Sequence, residues 1–200
     1  NATAALAYSF EAFPDARRVM VTGASAGAVS APVFAAMVAG AYPEAEVIHF
    51  SGGGAGYRLP PPQALWENWG VLHALPAVVD ASAYRPDTLG LLDFYRLAAH
   101  AAPRIRFHQF DHAYDAVQEK FHAMLGYPTE LLPGLDANRR DLREALPYLR
   151  TYTAKGEFHT LLRYDEFYRH SSGGVRAVDW VRAIANGETV DDVHCGDDCR

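Results

Sequence analysis

The chain has 200 residues, half of them apolar and about a fifth charged, and 18 Lys and Arg stand against 24 Asp and Glu for a net charge of -6. At that length one core buries roughly 70% of the unfolded surface, so one domain is expected over residues 1–200. No basic block occurs, which argues against a nucleic-acid or anionic-membrane partner.

In chain order, Asn1 can cap a helix through Ala5, Leu6, Tyr8, Ser9, Phe10 and Phe13, with most apolar groups on one face and Pro14 as its stop. Val19-Met20-Val21-Thr22 reads as a buried parallel strand ended by Gly23, and a small-residue helix follows from about Ala28 to Tyr42. The uncharged stretch Val19 to Pro43 has the length of a membrane span. Its Gly, Ala, Ser and Pro32 fit strand, turn and buried helix better. Glu46 to Phe50 is the next strand, with Ser51-Gly52-Gly53-Gly54 as a tight exit. Tyr57 to Asp87, with Pro60-Pro61-Pro62, Trp66 and Trp69, reads as an excursion carrying short helices.

Thr88 to Ala101 is helical, and Arg104 to Phe110 alternates as a strand. Asp115 to Leu125 is a helix with Val117, Phe121 and Met124 inward. After a loop from Gly126 to Gly134, a helix runs from Asp136 to Leu149. Arg150 to Ala154 is a strand, and Ala177 to Ala185 a closing helix ended by Asn186-Gly187. This alternation is the signature of an α/β fold with a mainly parallel sheet.

Gly23-Ala24-Ser25-Ala26-Gly27 is a G-x-S-x-G between a strand and a helix. There the glycines let the chain turn sharply, Ser25 stands off the sheet as a candidate nucleophile, and the N–H of Ala26 is a candidate oxyanion donor. A serine hydroxyl needs a base and an orienting acid, supplied in such folds in the order Ser, acid, His. Asp111 and Asp115 follow one late strand and His159 the next, so both acids are candidates; Asp115 also reads as a plain helix cap. Tyr57, Trp66 and Trp69 can shape an acyl or sugar pocket or simply pack the excursion. His108, His112, Asp111 and His122 form a rival metal constellation, but alternation on a strand lacks the convergence of ligands on a helix. His194, Cys195 and Cys199 make an incomplete zinc set, and a local disulfide or free thiols fit better. No metal and no cofactor is expected.

The segments Val21 to Gly27, Ala113 to Gln118 and Phe158-His159-Thr160, with the tail Gly174 to Val181, Asn186-Gly187-Glu188 and Asp192 to Cys195, resemble the pectin acetylesterase family across nearly the whole chain. The resemblance implies an α/β-hydrolase-type sheet with helices on both faces, and Ser25, Asp115 and His159 as nucleophile, acid and base. The D-x-x-Q of Asp115 and Gln118 is what favours Asp115. It further implies a serine esterase removing acetyl or another small acyl group from an ester substrate such as an acetylated polysaccharide, in a secreted or periplasmic setting. Ala24 stands where plant and animal members usually show Cys, and the chain opens only one helix before the elbow, without a basic n-region and apolar h-region. The expectation is therefore that the N-terminal strands and an upstream glycine-rich oxyanion loop are missing, that residues 1–200 form the C-terminal two-thirds of a larger domain, and that the exposed sheet edge permits self-association. Two alternatives stand beside the serine esterase: a truncated, non-catalytic binding module and a metal-dependent hydrolase.

Overall fold

The computed structural model describes residues 2–200, so the Asn1 cap lies outside the described residues. Helix α1 (Ala2–Ala12) leads to strand β1 (Arg18–Ala24), helix α2 (Ala26–Ala41) and strand β2 (Glu46–Gly52). Short helices α3 (Gln63–Trp69) and α4 (Val71–Ala74) precede α5 (Asp93–Ala101), β3 (Arg106–His112), α6 (Ala116–Leu125), α7 (Leu131–Arg143) and β4 (Arg150–Ala154). Helix α8 (Glu166–Arg169), a two-stranded ribbon β5 (Ser171–Ser172) and β6 (Val175–Arg176), and α9 (Ala177–Ala185) complete the order.

Strands β1 to β4 form one parallel sheet in the order β1-β2-β3-β4. Alternation sorts its side chains onto two covered faces, as a parallel sheet requires. Val47 and Phe107 pack with α2 and α5, whereas Ile48, Phe50, Phe110 and Tyr152 pack with Trp180, Val181 and Ile184 of α9. Strand β1 is one edge, and among the described residues no strand lies on its far side. The opposite edge is partly closed, because Val193 donates to Thr151 O and accepts from Thr153 N beside β4. Val19 to Pro43 divides into β1 and α2, and among the described residues no helix is long and apolar enough to cross a membrane.

The elements depart from the sequence expectation in places that have physical causes. Tyr8 and Phe13 stay exposed on and beyond α1, and only Leu6 and Phe10 reach the core. The inward face of α6 is reversed: Gln118 and His122 are buried, while Phe121 and Met124 are 45% and 70% exposed. Helix α7 begins at Leu131 rather than Asp136 because Pro133 falls in its first turn, where the missing N–H removes no intrahelical bond. It ends at Arg143, and the sequence from Glu144 to Leu149 turns back toward β4. Helix α5 starts only at Asp93, and β3 extends to His112, which puts Asp111 inside the strand.

Candidate active site

Strand β1 and helix α2 meet at Ser25, whose φ of 56° and ψ of -123° are unusual for a residue other than glycine. Its N–H donates to Gly52 O at 2.9 Å, which extends the β1–β2 ladder to the turn itself. A Cβ at Gly23 would lie 2.2 Å from Gly27 O and 2.8 Å from the Ala31 Cβ, so only glycine lets α2 fold back this closely. The space at Gly27 is open, and the strained conformation resides at Ser25. Ala26 is the first residue of α2, where N–H groups have no intrahelical acceptor.

The segments after β3 and β4 continue side by side: Tyr114 N donates to Gly156 O and Ala116 N to Glu157 O, both at 3.2 Å. That pairing brings His159 to Asp115. Its Nδ1 lies 3.0 Å from Asp115 Oδ1 and 2.8 Å from Oδ2, so the ring faces both oxygens of a carboxylate with no exposed surface. The same Asp115 Oδ1 accepts from Val117 N and Gln118 N at the start of α6, so the capping and the His-orienting readings both describe this residue. His159 Nε2 has no hydrogen-bond partner, and no bond to Ser25 Oγ is formed. Thr160, next in the chain, has a φ of 67°; it and Ser25 are the non-glycine residues with positive φ among the described residues. Such strain concentrates at functional sites.

Between Ser25 and His159 runs the exit of β2. Gly53 has a φ of 74°, and a Cβ there would lie 3.1 Å from His159 Cε1; one on Gly54 would lie 3.3 Å from Ser25 O. The run from Gly53 to Gly56 is thus a seam with the elbow on one side and the imidazole on the other. Its N–H groups are all engaged, Gly53 with Phe110 O, Gly54 and Ala55 with Asp111 Oδ1, and Gly56 with Gln118 Oε1. This agrees with reading Ser51 to Gly54 as a strand exit rather than an oxyanion hole.

Asp111 does not meet His159; it is buried beneath the seam, with Arg139 Nη2 3.6 Å from its Oδ2. Burial pushes the Asp111 carboxyl above its ordinary range, against the pull of Arg139 and the amide donors, and burial lowers Arg139. Arg139 also donates to Thr153 Oγ1 of β4. Neither Asp111 nor Arg139 announces this arrangement in the sequence, whereas the D-x-x-Q spacing does point at Gln118.

Of the three aromatic residues, Trp66 is buried in the α2–α5 core, with its indole N–H on Leu89 O at 2.7 Å and its ring edge-on to Phe94. Packing, not a substrate pocket, accounts for it. Trp69 is 66% exposed, at ring contact with Trp66. Tyr57 is half-buried against His122 at 4.9 Å, and burial, with the nearby Asp115 and Asp111, pushes its hydroxyl up to about 12. A cleft of about 1080 Å³ flanks the Asp115–His159 pair and is lined by Tyr114, Glu119, Glu130, Glu157, Phe158 and Arg200 among others; neither Ser25 nor His159 lines it.

The metal constellation does not assemble. His108 Nδ1 faces His49 O, His122 Nδ1 faces Pro128 O, and His112 has both ring nitrogens unpartnered beside Phe158 and His170. Among the described residues the group with metal-ligand proximity is His194, Cys195 and Cys199, and its two cysteines are joined in a disulfide.

No family model and no curated protein matches the chain. Among solved structures the chain is similar to the Wnt deacylase Notum from Drosophila, with 15% identity and a TM-score of 0.54, over 92% of this chain and 60% of that one. The likeness is one of fold: a mainly parallel sheet with helices, shared with a chain of which this one spans about three-fifths.

Proposed function

We propose that the chain carries the catalytic centre of a serine carboxylic-ester hydrolase that removes acetyl or another small acyl group. The observation that carries this reading is the Asp115–His159 pair set across the Gly53–Gly54 seam from a strained serine at a strand-to-helix turn. In this reading His159 Nε2 takes the proton of Ser25 Oγ as the oxygen attacks the ester carbonyl. Asp115 holds the ring by Nδ1 and steadies the imidazolium, and the N–H of Ala26 donates to the tetrahedral oxyanion. His159 then returns the proton to the leaving alcohol, and water clears the acyl-enzyme. No cofactor takes part. The fold neighbour is by its description a deacylase, and acyl removal is the reaction class taken over from it; an acetylated polysaccharide and a secreted setting rest on the sequence resemblance alone.

The test is hydrolysis of p-nitrophenyl acetate by the 200-residue chain. Ser25→Ala and His159→Ala are each expected to lower kcat on the order of a thousandfold, because the three side chains act as a unit. A fluorophosphonate is expected to label Ser25, and EDTA to change nothing. Turnover that survives Ser25→Ala, or that EDTA abolishes while Ser25 stays unlabelled, overturns the proposal.

A further inference from the structure

Helix α6 buries an amide where a core helix ordinarily buries an aliphatic side chain: Gln118 is fully buried while Phe121 and Met124 face out. Burying an amide is unfavourable unless its hydrogen bonds are made, and here three are. Gln118 Nε2 donates to Asp115 Oδ2 at 3.0 Å and to Asp111 Oδ1 at 3.1 Å, and its Oε1 accepts from Gly56 N at 3.1 Å. An amide nitrogen has two hydrogens, so one goes to each carboxylate. Every partner belongs to the candidate site, and none to the rest of α6.

We propose, on the ester-hydrolase reading given above, that Gln118 is a positioning residue: through one side-chain amide it locks the Asp115 carboxylate that faces His159 to the seam that separates His159 from Ser25. The cap bonds from Val117 N and Gln118 N hold Asp115 Oδ1 alone. The Gln118 amide is the protein donor besides His159 that holds Oδ2, and it fixes the plane of the carboxylate and with it the tilt of the imidazole. From Gln118 the chain of bonds continues through Asp111 to Gly54 and Ala55, with Arg139 behind it. Base and nucleophile are therefore referred to one common frame.

Gln118→Met keeps the volume and removes all three bonds. It is expected to lower kcat for p-nitrophenyl acetate by about 10- to 100-fold, the scale of a small misplacement of reacting groups, with KM changed less than about twofold. A second readout needs no turnover: the downfield proton resonance of the His159 Nδ1–H, held between the ring and Asp115, is expected to shift or to broaden into exchange in the variant. Should Gln118→Met fail to fold, Gln118→Asn, a neutral amide one methylene too short to reach both carboxylates, carries the same measurements. A folded variant with wild-type kcat and an unmoved resonance overturns the proposal. If the wild-type chain hydrolyses no ester while the resonance still moves, the positioning role stands and the hydrolase reading fails.

Discussion

Asp115 serves helix α6 with one oxygen and His159 with both, and one substitution separates the two tasks. Asn caps a helix as well as Asp does, so the start of α6 is expected to survive Asp115→Asn, while the new NH2 set against the buried Gln118 Nε2 donor is expected to cost about 1–3 kcal/mol of unfolding free energy. The amide cannot steady an imidazolium and favours the wrong ring tautomer, so kcat is expected to fall by about 10⁴. Denaturant unfolding and ester kinetics on the same preparation check both halves; a variant that keeps its activity would show Asp115 to be a cap and nothing more. The glycines at the elbow make a second contrast. Gly27→Ala, in open space inside the first turn of α2, is expected to stabilise by up to about 1 kcal/mol. Gly53→Ala sets a methyl against the imidazole at positive φ, where an L-residue costs about 1–2 kcal/mol, and it is expected to lose both stability and activity. Thermal melts and turnover rank the two.

At the scale of elements, strand β4 and helix α9 have the limits that their sequence implies, Arg150–Ala154 and Ala177–Ala185. Each has a clear apolar rhythm bounded by turn residues. Helix α6 was legible in extent but not in orientation, since the rule that apolar side chains face inward gives way where the hydrogen-bonded Gln118 amide and His122 take the buried positions. A corollary is that Met124→Gln, at a residue 70% exposed, is expected to change stability by less than about 0.5 kcal/mol, which a denaturant midpoint measures. The start of α7 was hidden because Pro133-Gly134 has the composition of a loop, although proline in a first turn is harmless. In the candidate site, Ser25 was singled out by its motif and the strand before it and His159 by its order along the chain, whereas order alone left Asp111 and Asp115 both open and only the D-x-x-Q of the family resemblance preferred Asp115. The seam was not. Its contacts join Gly53 to His159 and Gly54 to Asp111, between segments far apart in sequence, and no local pattern encodes them.

For the molecule as a whole, three histidines in the sheet are held neutral by burial: His49 and His112 are pushed down to about 3 and His108 to about 4. The unfolded chain takes up their protons below about pH 6.5 and the folded chain does not until pH 3–4, so stability falls as pH drops through that window. Each histidine contributes up to about 1.4 kcal/mol per pH unit. Asp111 acts the other way, because a carboxyl raised in the folded state adds stability as pH falls toward its ordinary range. Three groups outweigh one, and the unfolding midpoint is expected to be markedly lower at pH 5 than at pH 7; equal midpoints would contradict the burial of these rings. Removal of the Cys195–Cys199 disulfide, which spans four positions in sequence, is expected to cost about 2 kcal/mol by loop closure. The cost includes a looser tail where Cys199 O accepts from Gly156 N, ahead of His159.

The seam from Gly53 to Gly56 has no regular secondary structure, yet its four consecutive amide hydrogens are all held by strand β3, Asp111 or Gln118. In deuterated solvent these amides should therefore exchange on the slow clock of the central strands, not on the fast clock of a loop, because releasing them requires the sheet to open. A map of exchange rates would show the glycine-richest stretch of the chain as one of its most protected.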